Sequence, residues 1–336
     1  MTSLFSLIRE LIDIPSVTGD ELAIAQFLEG ELTRRGFTVR LQEVEPGRFN
    51  VVAHFADSVE VVLCTHLDTV APFIASSEDA DFIYGRGACD AKGVLATMVA
   101  AAERLYRDSV HGMGLLFVVG EEVDSAGARH ANELRINSRY VIVGEPTENQ
   151  LASGHKGALE FLLRAEGIAA HSAYPEHGDS AIDRLLTALD RIRQANWGQN
   201  PQLGSATVNI GTVSGGVAGN VLAPQAEARV FVRLVGPVAD ARAALDGIVN
   251  GDARLSYEVT TESETVECET IEGFDATPVA FGSDIPALTA FGKPLLLGPG
   301  SIHDAHTDGE KIAKQQALEA VDLYYRIGRH LLETPA

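Results

Sequence analysis

Apolar positions along the first part of the chain alternate between two rhythms. Leu4, Leu7, Ile8, Leu11 and Ile12 fall at helical spacing and Pro15 follows, so the spacing predicts a helix over 3–14. Ile24, Phe27, Leu28 and Leu32 predict a second helix, capped by Asp20 and stopped at Gly36. Residues 37–41 alternate like a strand with one wet face, and 50–55 and 59–65 read as its neighbours. Beyond a glycine-punctuated loop the pattern predicts a helix over 94–106, a strand over 115–120, a helix over 126–134 and a strand over 140–144. Alternation of this kind implies an α/β layer, a mostly parallel (mixed) sheet flanked by helices.

From Gly157 the texture changes. Strand patterns at 158–165, 206–213, 226–235 and 254–260 and helical patterns at 180–195 and 238–249 run in the order β-α-β-β-α-β, the ferredoxin-like arrangement. After Gly273 a helix over 281–291, a strand over 294–297 and a closing helix over 310–332 have nowhere to pack except the first layer. The expectation is therefore one domain built from 1–155 and 270–336, with a second, 156–269, inserted into it. A length of 336 residues suits two domains.

Composition narrows the function classes. Hydrophobic residues make up 46% and charged residues 22%, which describes a soluble globular chain. A formal charge of −21 argues against nucleic acid or an anionic membrane as partner. No apolar run approaches membrane-spanning length, and the N-terminus lacks the basic start of a secretory signal. The three cysteines, Cys64, Cys89 and Cys268, form no disulfide framework, so a reducing cytoplasm is expected.

Some carboxylates sit where solvation does not account for them. The apolar run 61–65 ends on His66-Leu67-Asp68, and 115–120 ends on Glu121-Glu122; 140–144 ends on Glu145. In open α/β sheets ligands are held at strand C-terminal ends. Asp90 lies on the stiff loop Gly85–Gly93, and His306 lies in a polar loop. Singly each has another explanation: a structural histidine, a solvated turn, a helix cap, an exposed loop residue. Jointly His66, Asp90, Glu122, Glu145 and His306 offer a borderline-soft set of imidazoles and carboxylates that suits zinc, with cobalt or manganese as alternatives.

These segments carry a resemblance. Cys64–Val70 is similar to the H-x-D segment of the M20 family of di-metal amidohydrolases and peptidases. Gly85–Gly93 resembles that family's G-x-G-x-x-D-x-K-G loop, and Gly120-Glu121-Glu122, Gly144–Thr147 and Ala305-His306 resemble its later motifs. Within the family the likeness leans to acetylornithine deacetylase and succinyl-diaminopimelate desuccinylase; Cys89 and the run Leu297–Ile302 lean to the former. The resemblance implies two divalent ions bridged by Asp90, with His66 and Glu145 completing one site and Glu122 and His306 the other. It implies that Asp68 holds the second nitrogen of His66 and that Glu121 is the general base.

The implied activity is hydrolysis of the amide of an N-acyl amino acid, in amino-acid biosynthesis. Glutamate at position 145 goes with deacylases and carboxypeptidases, whereas aminopeptidases of the family usually carry aspartate. The alternatives are a dipeptidase or carboxypeptidase of the same family, or a metal-binding protein without catalysis, which the presence of Glu121 disfavours. The inserted segment resembles the family's lid and dimerisation domain, which implies a homodimer. In Ala170–Pro175, His171 would reach the partner's site as an oxyanion donor, and Asn220 sits in the matching glycine-rich turn. Arg233 is the expected clamp for a substrate carboxylate, and Gly282 and Ser283 partly match the loop that binds it. Two departures stand out: Phe231 replaces the acid of D-x-R, and Ala91 replaces a larger residue beside Asp90.

Overall fold

The run Val61–His66 becomes a strand buried at every residue, because parallel neighbours cover both its edges and helices its faces. A computed structural model of the protein describes residues 3–56 and 58–334. In chain order the main strands are β1 (Thr38–Glu45), β2 (Arg48–His54), β3 (Val61–His66), β4 (Met113–Val118), β5 (Tyr140–Val143), β6 (Gly157–Glu166), β7 (Thr207–Gly215), β8 (Gln225–Leu234), β9 (Leu255–Ser263) and β10 (Lys293–Leu296). The helices are α1 (Leu4–Ile12), α2 (Leu22–Arg34), α3 (Lys92–Arg107), α4 (Ala126–Ala131), α5 (Ala181–Gln194), α6 (Val238–Val249) and α7 (Lys314–Glu333). None of the helices among the described residues is long and apolar enough to cross a membrane.

The chain divides into two compact units. The first comprises Met1–Ser153, Cys268–Thr277 and Ser283–Ala336; the second comprises Gly154–Glu267 and Pro278–Gly282. In the first, six strands form one sheet in the order β1-β2-β4-β3-β5-β10. β1, β2 and β4 pair antiparallel, while β4, β3, β5 and β10 run parallel, so the sheet is mixed as the strand–helix alternation implied. β3 and β4 are buried along their whole length. The alanine-rich α3 buries most of its surface and packs on α7. Tyr324 of α7, fully buried, donates its hydroxyl to the Leu297 carbonyl at 2.5 Å and ties that helix to the end of β10.

The second unit is the β-α-β-β-α-β element read from the pattern. Its four antiparallel strands stand in the order β7-β8-β6-β9. β8 alternates buried and exposed positions along its length, placing Ala226, Ala228, Val230 and Val232 in a core completed by Leu185, Leu189 and Ile192 of α5. Ser180 caps α5 by accepting the Asp183 amide.

Three expectations are corrected. Asp20 does not cap α2; Glu21 holds the N-cap position without a side-chain cap bond, and its buried carboxylate pairs with Arg48 at 2.6 Å instead. The helix expected over 281–291 is a single 3-10 turn, Ile285–Ala287, because Pro286 withholds an amide and Gly292 is pressed against the Arg139 backbone. The closing helix starts at Lys314, since Lys311–Ala313 pairs with Phe82–Tyr84 as a strand.

The loop entering α3 has no spare room. A Cβ at Gly93 would stand 2.1 Å from the Ala88 carbonyl oxygen, whereas a Cβ at Gly30, in the exposed part of α2, would meet nothing within 4 Å. Gly93→Ala is expected to destabilise the first unit by ~1–3 kcal/mol or more through overpacking. Gly30→Ala should stabilise it by up to ~1 kcal/mol through helix propensity. Thermal unfolding midpoints of the two variants, moving in opposite directions, check this.

Candidate metal centre

The C-terminal ends of β3, β4 and β5 deliver side chains to one place. His66, the last residue of β3, is 1% exposed. Its Nδ1 lies 2.9 Å from the Asp68 main-chain carbonyl and its Nε2 lies 2.9 Å from Asp90 Oδ1. Burial opposes a charged imidazole here, but the carboxylates of Asp68 and Asp90 outweigh it and raise the pKa well above the ordinary range.

Asp68 has a further role beside His66. Its carboxylate stands 3.6 Å from His66 Nδ1, further than its own carbonyl. Asp68 Oδ1 accepts the amides of Gly120 and Glu121 at 3.0 and 3.2 Å; Oδ2 accepts the Glu122 amide at 3.2 Å and the Thr18 hydroxyl at 2.7 Å. The fully buried acid is therefore the anchor of the loop that carries Glu121 and Glu122. The His66 imidazole nearby and hydrogen bonds from Thr18 and that loop overcome the cost of burial and keep it ionised below the usual range.

His306 has a left-handed φ of +62° in the loop after β10. Its Nε2 lies 3.1 Å from Glu122 and 3.2 Å from Asp90 Oδ2. Asp90 and Glu122 push its pKa up to about 10. Asp90 thus presents one oxygen to each imidazole, and hydrogen bonds from His306 and His66 outweigh its burial and hold it low. Glu145 follows β5 in a buried position; desolvation first, then the charge of Glu121, raises it well above the carboxylate range. Glu121 is raised in the same way, by desolvation and by Asp284, Glu122 and Asp90.

The remaining candidates are placed as follows. Ser283 is buried in the first unit, and its hydroxyl accepts the Ile285 amide at 3.3 Å. His171, Asn220, Arg233 and Gly282 belong to the second unit. There the Ser172 amide donates to the Asn220 carbonyl at 3.0 Å, so the His171 and Asn220 segments run side by side. His171 is exposed, its Nδ1 accepting the Ala173 amide at 3.1 Å. Arg233 lies over the Phe231 ring, 4.7 Å from its centroid, and no carboxylate among the described residues pairs with it. Asp284, the third residue of the Gly282-Ser283-Asp284 match but not among the expected site residues, is 2% exposed with Oδ1 unpartnered among the described residues. Burial pushes its pKa up to about 6.

The residues fit a bound divalent cation. The ligand atoms of His66, Asp90 and Glu122 lie within 4.8 Å of one another. The carboxyls of Glu121 and Glu145 are raised by desolvation first and then by their neighbours' negative charge, which a cation held among them would offset. Cations bound here would displace the protons on Nε2 of both histidines, and the Asp68 carbonyl would keep the His66 Nδ1–H in place.

Comparison with known proteins agrees with this architecture. Residues 153–250 match the family description "Peptidase dimerisation domain". A peptidase M20 domain-containing protein of Schizosaccharomyces pombe is 37% identical over 97% of this chain and 84% of its own length. A "probable carboxypeptidase" of Aspergillus terreus is 39% identical over 95% of this chain and 84% of its own. Among solved structures, a tripeptidase of Staphylococcus aureus superposes with a TM-score of 0.84 at 21% identity, covering 98% of each chain. A dinuclear metal-binding M20 peptidase of Bacillus subtilis gives 0.73 at 16% identity, covering 99% of this chain and 98% of its own. With two such relatives matched almost end to end, the chain belongs to the M20 peptidase family.

Proposed function

We propose that the protein is a dinuclear metallohydrolase that releases an amino acid with a free α-carboxylate from the amide bond of an N-acyl amino acid or a short peptide. The observation that carries this is Asp90 standing between His66 and His306, at 2.9 and 3.2 Å, beside the half-buried Glu121. His66, Asp90 and Glu145 would hold one ion, and Asp90, Glu122 and His306 the other; zinc suits the donors, with cobalt or manganese as alternatives. Bound there, the ions supply Lewis acidity, lowering the pKa of water and polarising the scissile carbonyl. Glu121 takes a proton from the attacking water and returns it to the leaving amine, a role suited to a carboxyl whose pKa is raised. His171, acting across a homodimer, donates to the oxyanion, with Asn220 alongside, while Arg233 holds the substrate carboxylate, assisted by Gly282 and Ser283.

Two acyl halves compete. An acetylornithine deacetylase-like reading rests on Cys89 and the run Leu297–Ile302. A carboxypeptidase reading is favoured by the name of the Aspergillus relative. Offering the metal-loaded protein N-acetyl and N-succinyl amino acids beside dipeptides and tripeptides decides between them: turnover of acyl substrates alone supports the first, of peptides alone the second.

Glu121→Gln should keep two ions per chain by elemental analysis while kcat falls by ~10²–10⁴-fold. Loss of the ions would instead make Glu121 a ligand. For the dimer, His171→Ala and Glu121→Gln homodimers should each be inactive, and co-refolded mixtures should recover part of the activity through heterodimers with one intact site. Absence of recovery despite proven subunit exchange would place His171 in its own chain's site or outside it.

Arg233→Lys tests the carboxylate clamp. Wild type should prefer the free acid over its amide. The substitution should shrink that ratio by about ten- to a hundredfold, the worth of a charge-assisted contact of ~1.5–3 kcal/mol. Equal slowing of acid and amide would remove Arg233 from that role.

A further inference from the structure

Arg86 and Glu310 stand 224 positions apart in sequence and form a buried ion pair that none of the chemistry above employs. They are 2% and 1% exposed. Arg86 Nη1 donates to Glu310 Oε2 at 2.6 Å and to the Thr307 carbonyl at 3.2 Å, and Nε donates to the Pro72 carbonyl at 3.3 Å. The other oxygen, Glu310 Oε1, accepts the main-chain amides of Cys89 and Asp90 at 3.3 and 3.2 Å. The Glu310 carbonyl in turn accepts the Gly85 amide at 3.0 Å. One residue therefore grips the loop Gly85–Asp90 at both ends, by its carbonyl at Gly85 and its carboxylate at Cys89 and Asp90, while sitting four residues beyond His306.

Stability alone is a poor explanation for such a pair. Two buried charges incur a large desolvation cost, and apolar residues of similar volume usually do as well or better. Placement offers another. His66 is fixed by the sheet, but His306 rides on a loop, and Asp90 must present one oxygen to each. We propose that the Arg86–Glu310 pair is a positioning device that sets the Asp90 carboxylate between His66 and His306, locking the loop of the shared ligand to the loop of the remote one. Glu310 holds the Asp90 amide and so fixes where its side chain starts; Arg86 holds Glu310 and the Thr307 carbonyl, and so fixes the distance to His306. The inference rests on the metal-centre reading above.

Titration of the full chain with Co²⁺ after chelator treatment tests it, following visible absorption and ions bound per chain. Wild type should take up two ions. Arg86→Met combined with Glu310→Leu should still unfold cooperatively but bind Co²⁺ ~10–100-fold more weakly, with an altered absorption spectrum. Arg86→Lys, which keeps a charge opposite Glu310, should recover most of that loss. If the double variant does not unfold cooperatively, Glu310→Gln replaces it and the same weakening is expected. A wild type that binds two ions, with a folded double variant matching it in affinity and spectrum, would overturn the positioning role alone. So would Arg86→Lys falling as far as the double variant. A wild-type chain that binds no Co²⁺ would overturn the metal centre itself.

Discussion

Crowded negative charge is the constraint around which the first unit is built. Asp68, Asp90, Glu122, Glu145 and Asp284 converge on His66 and His306 together with Glu121, and most of them are screened from water. The chain's own residues manage that charge in three ways. Asp68 spends its carboxylate on three amides and a hydroxyl. Asp90 shares protons with two imidazoles. Glu121, Glu145 and Asp284 have their pKa values driven upward. Ions would convert the same repulsion into coordination, which is why a set that is awkward as a core is favourable as a metal centre.

The scaffold makes that crowding tolerable by stiffness. β3, β4 and β5 are parallel neighbours whose register is fixed by burial on both faces, so their ends cannot drift apart. The Thr65 hydroxyl donates to the Gly144 carbonyl at 2.8 Å, joining the residue before His66 to the one before Glu145. The Gly120–Glu122 loop then hangs from Asp68, so the residue proposed as base and a proposed ligand share one anchor.

Much of this was legible in the sequence because apolar runs and chemistry-bearing residues adjoin there. The runs 61–65, 115–120 and 140–144 announce buried strands by their length and branching, and each hands over an acid or imidazole. The mixed α/β sheet follows from strand–helix alternation, and the antiparallel edge is the part that alternation does not specify. What was not legible depends on long-range packing. Arg86 and Glu310 carry no local pattern that pairs them, and Asp284 looks like an ordinary turn residue until its burial is seen. The helix anticipated over 281–291 fails because apolar spacing cannot outweigh Pro286 and a glycine wedged against backbone. Asp68 was legible as a partner of His66 but not as a holder of the following strand's loop, because the amides it accepts lie some fifty residues on.

The discontinuity of the first unit has a consequence for synthesis. β10, the outer strand beside β5, together with His306, Glu310 and α7, belongs to the last stretch of chain, after the second unit has been made. A nascent chain that has completed the ferredoxin-like unit still has an unpaired parallel edge at β5 and only part of its ligand set. The second unit can fold around its own core meanwhile. The outer neighbour of β5 and the last ligand then arrive in one stretch of chain, so the emerging polypeptide does not complete its ligand set before β5 can be paired.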